Sequence, residues 1–174
     1  MSVMTYECTK GRRQQRGDTM IEVLVTVLIL GVGVLGVAAM QITTLKNLNS
    51  SHSASIAAML AEDLGERMRY NNEGTLGGDY DHSTAPNNPA DCVSQICSSA
   101  ELASYDLGSW WQALNANLPS ASGEVTSEIG VDTWTITVRW DEDRSGSAGT
   151  NCPVESDSDL DCYQLNVSVV PDPD

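Results

Sequence analysis

Basic residues are scarce in this chain: nine Lys and Arg stand against 24 Asp and Glu, for a formal net charge of −15 over 174 residues. Four of the nine, Lys10, Arg12, Arg13 and Arg16, crowd the first 17 residues, which carry +3 and leave −18 for the rest. A body that acidic repels phosphate backbones, and its five other cations are scattered, so nucleic acid is excluded as a partner. Histidine is almost missing too, with only His52 and His82. No Gly-rich phosphate loop, G-x-S-x-G elbow or His-bearing metal motif occurs, so no enzyme class is indicated, no cofactor is expected and catalytic residues are assigned as none. Arg67 and Arg69 read as surface or interface residues. The chain has no internal repeat, and its length suits one domain with a single core.

Proline is missing from residues 20–70, and no charge interrupts the eighteen positions from Val23 to Met40, all apolar or Gly except Thr26. Eighteen residues make about 27 Å of helix, close to a bilayer core of about 30 Å. Eleven of them are Val, Leu or Ile, together worth roughly −3 to −7 kcal/mol of insertion free energy. Glu22 sits at the lip of this run, and a carboxylate there costs less than the roughly 3 kcal/mol it would cost at mid-membrane. The segment can span. Helical spacing continues through Leu45, Leu48, Ile56, Met59, Leu64 and Met68, and Asn71, Asn72 and Gly74 supply a stop. The spacing predicts one helix of about 50 residues, roughly 75 Å, with its first half in lipid or a filament core and its second against a globular head. Gly31, Gly33 and Gly36 are its weak point in water; they allow either bending during assembly or close contact with other helices.

The stretch "RGDTMIEVLVTVLILGVGVLGVAAM" resembles the amino-terminal signature of type IV prepilins and type II secretion pseudopilins. That resemblance implies a basic leader, residues 1–17, removed by a dedicated prepilin peptidase that cuts between Gly17 and Asp18 on the cytoplasmic side. Asp18 would then be the new, N-methylated amino terminus, and Glu22 the fifth residue of the mature chain. Cleavage creates a cationic amine one helical turn from Glu22, and a charge facing lipid needs a partner. In a helical array, Glu22 of one subunit would pair with the terminal amine of its neighbour and set register. Family members usually carry Phe or Met where this chain has Asp18, whose carboxylate competes for its own amine.

Loss of the leader removes Cys8 and leaves an even set, Cys92, Cys97, Cys152 and Cys162. With the basic leader cytoplasmic, the remainder crosses into a compartment that permits disulfides. Of three possible pairings, short separation favours Cys92 with Cys97 and Cys152 with Cys162. A zinc site is disfavoured, because neither pair has C-x-x-C spacing and neither His lies near them.

Residues 71–91 read as an irregular loop. A capping box, Ser98 with Glu101, opens a second helix carrying Leu102, Tyr105, Trp110, Leu114 and Leu118 and ending before Pro119. "DTWTITVRWD" alternates strictly, with Trp134, Ile136, Val138 and Trp140 on one face, and "CYQLNVSVV" repeats the pattern with Tyr163, Leu165, Val167 and Val169. A further strand near Glu124 to Ile129 completes a small antiparallel sheet whose apolar face meets the long helix. The four Trp read as core packing. Asp141, Asp143, Ser145 and Gly146 imitate the start of an EF-hand loop, and Asp157, Asp159 and Asp161 alternate as on one side of a strand. Position twelve of that loop is Cys152 instead of Glu, so a solvated, disulfide-closed loop is the preferred reading over calcium.

"LAEDLGERMRYNN", a Trp-rich second helix ending "LP", and "WTITVRWDEDR" resemble minor pilins of the type IV pilus modification (PilV) group. The expected fold is therefore α+β and pilin-like: residues 18–40 as the membrane and assembly half of the helix, 41–72 as its amphipathic half, and 73–174 as a periplasmic head. The resemblance implies a non-enzymatic minor pilin in the inner membrane and later in the pilus, priming assembly and supporting twitching motility and attachment. Its partners would be other minor pilins, the major pilin, the prepilin peptidase and the inner-membrane assembly platform. A type II secretion pseudopilin is one alternative; a membrane-anchored binding or adhesion domain that never enters a filament is another.

Overall fold

The structure, a computed structural model, describes residues 18–127 and 132–170. The expected leader with Gly17 and Cys8 lies outside the described residues, as do Glu128 and Ile129. Among the described residues three helices and three strands follow one another: α1 (Asp18–Tyr70), α2 (Asn72–Leu76), α3 (Ser99–Asn117), β1 (Ser122–Ser127), β2 (Thr133–Trp140) and β3 (Asp161–Ser168). The chain divides into two compact units, residues 1–46 and 47–174.

In the first unit the described residues are all helix, with large apolar side chains exposed on every side from Met20 to Leu45. No Pro interrupts it, and Thr26 donates its hydroxyl to the Val23 carbonyl (2.8 Å), which satisfies the one polar side chain of the apolar run within the helix itself.

The second unit is the α+β head. Strands β1, β2 and β3 form an antiparallel sheet in that order, with Val125 opposite Ile136 and Ile136 opposite Leu165 in unbroken register. The strict alternation of β2 puts Trp134, Ile136, Val138 and Trp140 inward, and all four are buried. Against this face lies the later part of α1. Its buried stripe is Ala57, Ala61, Leu64 and Met68, whereas Leu45, Leu48 and Met59, expected on the inner face, are exposed. The physical reason is closeness of approach. A Cβ added at Gly65 would stand 3.0 Å from Val167 Cγ2, so the helix meets the sheet closely there, and of its larger residues only Leu64 and Met68 are fully buried.

α3 covers the same inner face beside α1, over Gly123 of β1. Ser98 and Glu101 form a reciprocal capping box, and Leu107, Trp110 and Leu114 fill the core together with Ala103; Leu102 and Tyr105, expected there, are only half-buried. Trp110 donates Nε1–H to the Leu60 carbonyl of α1 (3.0 Å), satisfying the one polar atom of an otherwise apolar anchor. The segment expected as an irregular loop contains α2, with Asn71 accepting from the Gly74 N–H as its N-cap, and a fully buried Tyr80.

Candidate assembly site

The residues expected to serve assembly lie at the start of α1. Asp18 opens the helix and Glu22 lies on its exposed surface one turn later. Beyond it come Leu24, Leu28 and Leu35, each more than half exposed. A helix apolar all round has no solvated face to offer and is stable only in lipid or among other helices. It is also the single helix among the described residues long and apolar enough to cross a membrane. A Cβ added at Gly31, Gly33 or Gly36 would meet nothing within 4 Å. No packing partner within the described chain therefore requires these glycines, although each costs up to about 1 kcal/mol of helix stability relative to Ala in water.

The head carries two disulfides, Cys92–Cys97 and Cys152–Cys162, which pair the four cysteines by the shortest separations. The first closes a loop that leads into the α3 capping box. Glu101 accepts from the Ser98 N–H (2.8 Å) and hydroxyl (2.9 Å), and those two donors hold its carboxyl below the usual range. The second disulfide anchors the acidic loop to β3.

Within that loop the carboxylates serve the backbone. Asp141 accepts from the N–H groups of Ser145 (3.1 Å) and Gly146 (2.9 Å). Asp143 accepts from Ser145 (3.1 Å). Asp159 accepts from Glu155 (3.1 Å) and Ser156 (2.8 Å). Asp157 lies in a turn, Asp159 in an isolated bridge and Asp161 at the start of β3, so the three do not share one side of a strand as their alternation predicts. The reason is the turn at Ser156–Asp159, which the Asp159 carboxylate itself organises. Among the described residues no group of three or more His, Cys, Asp or Glu side chains is placed to hold a metal ion. Asp161 is the exception in sign: burial, and then the nearby Glu142 carboxylate, push its pKa up.

One polar cluster escapes the sequence altogether. Asp106 on α3 accepts from the Tyr80 hydroxyl (2.7 Å) and pairs with Arg67 of α1 (3.1 Å), which also bonds Asp63 (2.9 Å). Asn71 donates to the Tyr80 hydroxyl (3.2 Å). Burial first, then Asp106, pushes the Tyr80 pKa up. This network ties the end of α1 to α3 and gives Arg67 a structural place; Arg69 pairs with Glu66 on the surface.

A long helix with an apolar first half that opens with an acid, joined in one chain to an α+β head with a three-stranded antiparallel sheet and two disulfides, makes a type IV pilin-like fold. Comparison with family models agrees. Residues 39–108 match the Tt1218-like family, described as type IV pilin Tt1218, and residues 12–38 match the prokaryotic N-terminal methylation motif. No curated protein and no solved structure matches the chain.

Proposed function

We propose that this protein is a minor pilin of the PilV type, incorporated into type IV pili and priming their assembly, and thereby supporting twitching motility and attachment. The observation that carries the reading is the apolar exposure of α1 on all sides behind Glu22, beside a head with a complete core of its own. Such a helix is stable in the inner membrane before assembly and among the helices of other subunits afterwards, and the two environments share one physical requirement, the exclusion of water. The prepilin peptidase removes residues 1–17 after Gly17 and leaves Asp18 as the methylated terminus. The head lies in the periplasm until the subunit enters the filament. Glu22 pairs with the terminal amine of a neighbour and sets register, and Gly31, Gly33 and Gly36 admit adjacent helices. The other minor pilins, the major pilin and the inner-membrane assembly platform are the partners. The protein has no catalytic role.

The test is the intact mass and amino terminus of membrane-extracted protein, with and without co-expressed prepilin peptidase. A peptidase-dependent start at Asp18 is expected; retention of residues 1–17 in both cases would replace this reading with a simple membrane anchor. Deletion is expected to abolish twitching while sparing type II secretion, and the opposite pattern would make the protein a pseudopilin. Glu22→Ala is expected to stay in the membrane but to reach the filament at roughly a tenth of the wild-type level or less, as loss of about 1.4 kcal/mol or more of pairing would produce. Crosslinking that finds it beside partner subunits at wild-type yield would remove the register role.

A further inference from the structure

The sheet of the head has two outer edges, and they are finished differently. On the β1 side, Val125 exchanges backbone hydrogen bonds with His82 (3.1 and 2.8 Å), so the loop after α2 closes the middle of that edge. Among the described residues the β3 side has no such cover. The Val169 N–H donates to the Asp132 carbonyl (3.1 Å). Counting back in the antiparallel register, Val167, Leu165 and Tyr163 turn their backbone groups to Trp134, Ile136 and Val138 of β2. The same alternation explains Val125, which bonds outward to His82 while Glu124 and Thr126 face Thr137 and Thr135.

Gln164, Asn166 and Ser168 therefore aim their N–H and C=O groups away from the sheet. Among the described residues no hydrogen bond reaches these groups, and all three residues are exposed. Natural sheets guard such edges with Pro, Lys, an inward charge or a bulge. None occurs from Gln164 to Ser168, where the register is unbroken. Their side chains are uncharged, in a chain with 24 acidic residues.

The geometry points to this edge of β3 as a docking site for an extended strand contributed by a different pilus subunit. A row of outward backbone donors and acceptors is matched by another backbone and by little else. Charge selects the source. Residues 47–174 hold four Arg against 21 Asp and Glu, a net of −17, so a second copy would bring like charge to like. At one end the edge runs into Asp161, which follows the acidic loop containing Glu142 and Asp143. The incoming strand is neutral or basic and passes a cation beside Asp161. This inference rests on the pilus-subunit reading and goes beyond it by naming the contact.

Two measurements on the full-length protein test it. In wild type, the Gln164, Asn166 and Ser168 amides are expected to exchange with deuterium rapidly in the detergent-extracted subunit and at least about tenfold more slowly in purified pili. Asn166→Pro deletes an outward donor, a change that edge strands accept, and besides it only the exposed bond that the Thr135 hydroxyl donates to the Asn166 side chain (3.0 Å). It is expected to leave head melting unchanged and to lower incorporation about fivefold to tenfold, as loss of one interfacial hydrogen bond would. Fast exchange of these amides in pili that contain the protein would overturn the inference, as would incorporation of a folded Asn166→Pro variant at the wild-type level. If that variant misfolds, the wild-type exchange decides alone. Absence of the wild-type protein from pili would instead overturn the pilus reading itself, and the docking site with it.

Discussion

Between Met20 and Leu45 the large apolar side chains are from 49 % to 80 % exposed, whereas in the head Leu64, Met68, Leu107, Leu114, Ile136 and Val138 are completely buried. The same residue types thus serve two kinds of order. In the head, apolar surface is covered by the chain itself, and Tyr80, Asp106, Asn71 and the indole of Trp110 are hydrogen-bonded inside it, whereas the buried Trp134 indole N–H finds no partner among the described residues. In the leading part of α1 the covering has to come from lipid or other chains. Folding stability belongs to the head, the proposed assembly role belongs to the leading helix, and substitutions separate the two.

The largest expected contrast is between two apolar truncations. Trp110→Ala removes a buried ring and the bond to the Leu60 carbonyl, and is expected to cost roughly 3–5 kcal/mol of head stability. Leu28→Ala, at a site 67 % exposed, is expected to move head stability by less than about 0.5 kcal/mol while weakening membrane or filament retention. Denaturant titration of the detergent-solubilised protein, followed by near-ultraviolet circular dichroism, measures both. Equal destabilisation by the two would mean that the division between the regions is wrong.

Glycines sharpen the comparison at smaller scale. In a helix interior Gly→Ala gains up to about 1 kcal/mol, and Gly31 has open space for the methyl group. At Gly65 the methyl would press on Val167 Cγ2 at 3.0 Å and approach Leu165. Overpacking of about 1–3 kcal/mol then exceeds the helix gain. Gly65→Ala is expected to destabilise the head by about 1 kcal/mol, and Gly31→Ala to leave head melting unchanged. A Gly65→Ala head that melts above wild type would show that the helix and sheet are less closely packed than these distances say.

How much of this was readable beforehand follows from the range of each interaction. The apolar run of α1, the capping box at Ser98 and Glu101, and the alternation of β2 are set by residues within a few positions of one another, so the sequence displays them directly. Of the buried stripe of α1, Leu64 and Met68 were legible in the helical spacing, but Ala57 and Ala61 were not, because the eye follows the larger Leu45, Leu48 and Met59. The Arg67, Tyr80 and Asp106 cluster joins residues 26 and 39 positions apart, and no periodicity announces such a pair. The His82 bridge to Val125 was hidden for the same reason, within a segment whose composition reads only as loop. In the acidic loop the residue types were plain, but which N–H each carboxylate would serve depends on turns that only the folded chain sets.

The smallest effects lie in the pH dependence of the head, where two carboxylates pull in opposite directions. The Ser98 N–H and hydroxyl lower the Glu101 pKa. Its contribution is therefore present above the unfolded value, about 4.3, and is lost as pH falls through the folded value. Asp161 has its folded pKa raised by burial and by Glu142, so its ionised form disfavours folding at neutral pH and the penalty disappears on acidification. Glu101→Gln is accordingly expected to lower the melting temperature at pH 7, and Asp161→Asn to raise it. Both differences should shrink toward zero as pH falls below the carboxylate range, since a protonated carboxyl and an amide then carry the same charge. Melting curves of the three proteins between pH 7 and pH 3 check the signs. A Glu101→Gln difference that persists undiminished at the acid end would assign the capping box's contribution to packing at the start of α3 instead of to the carboxylate.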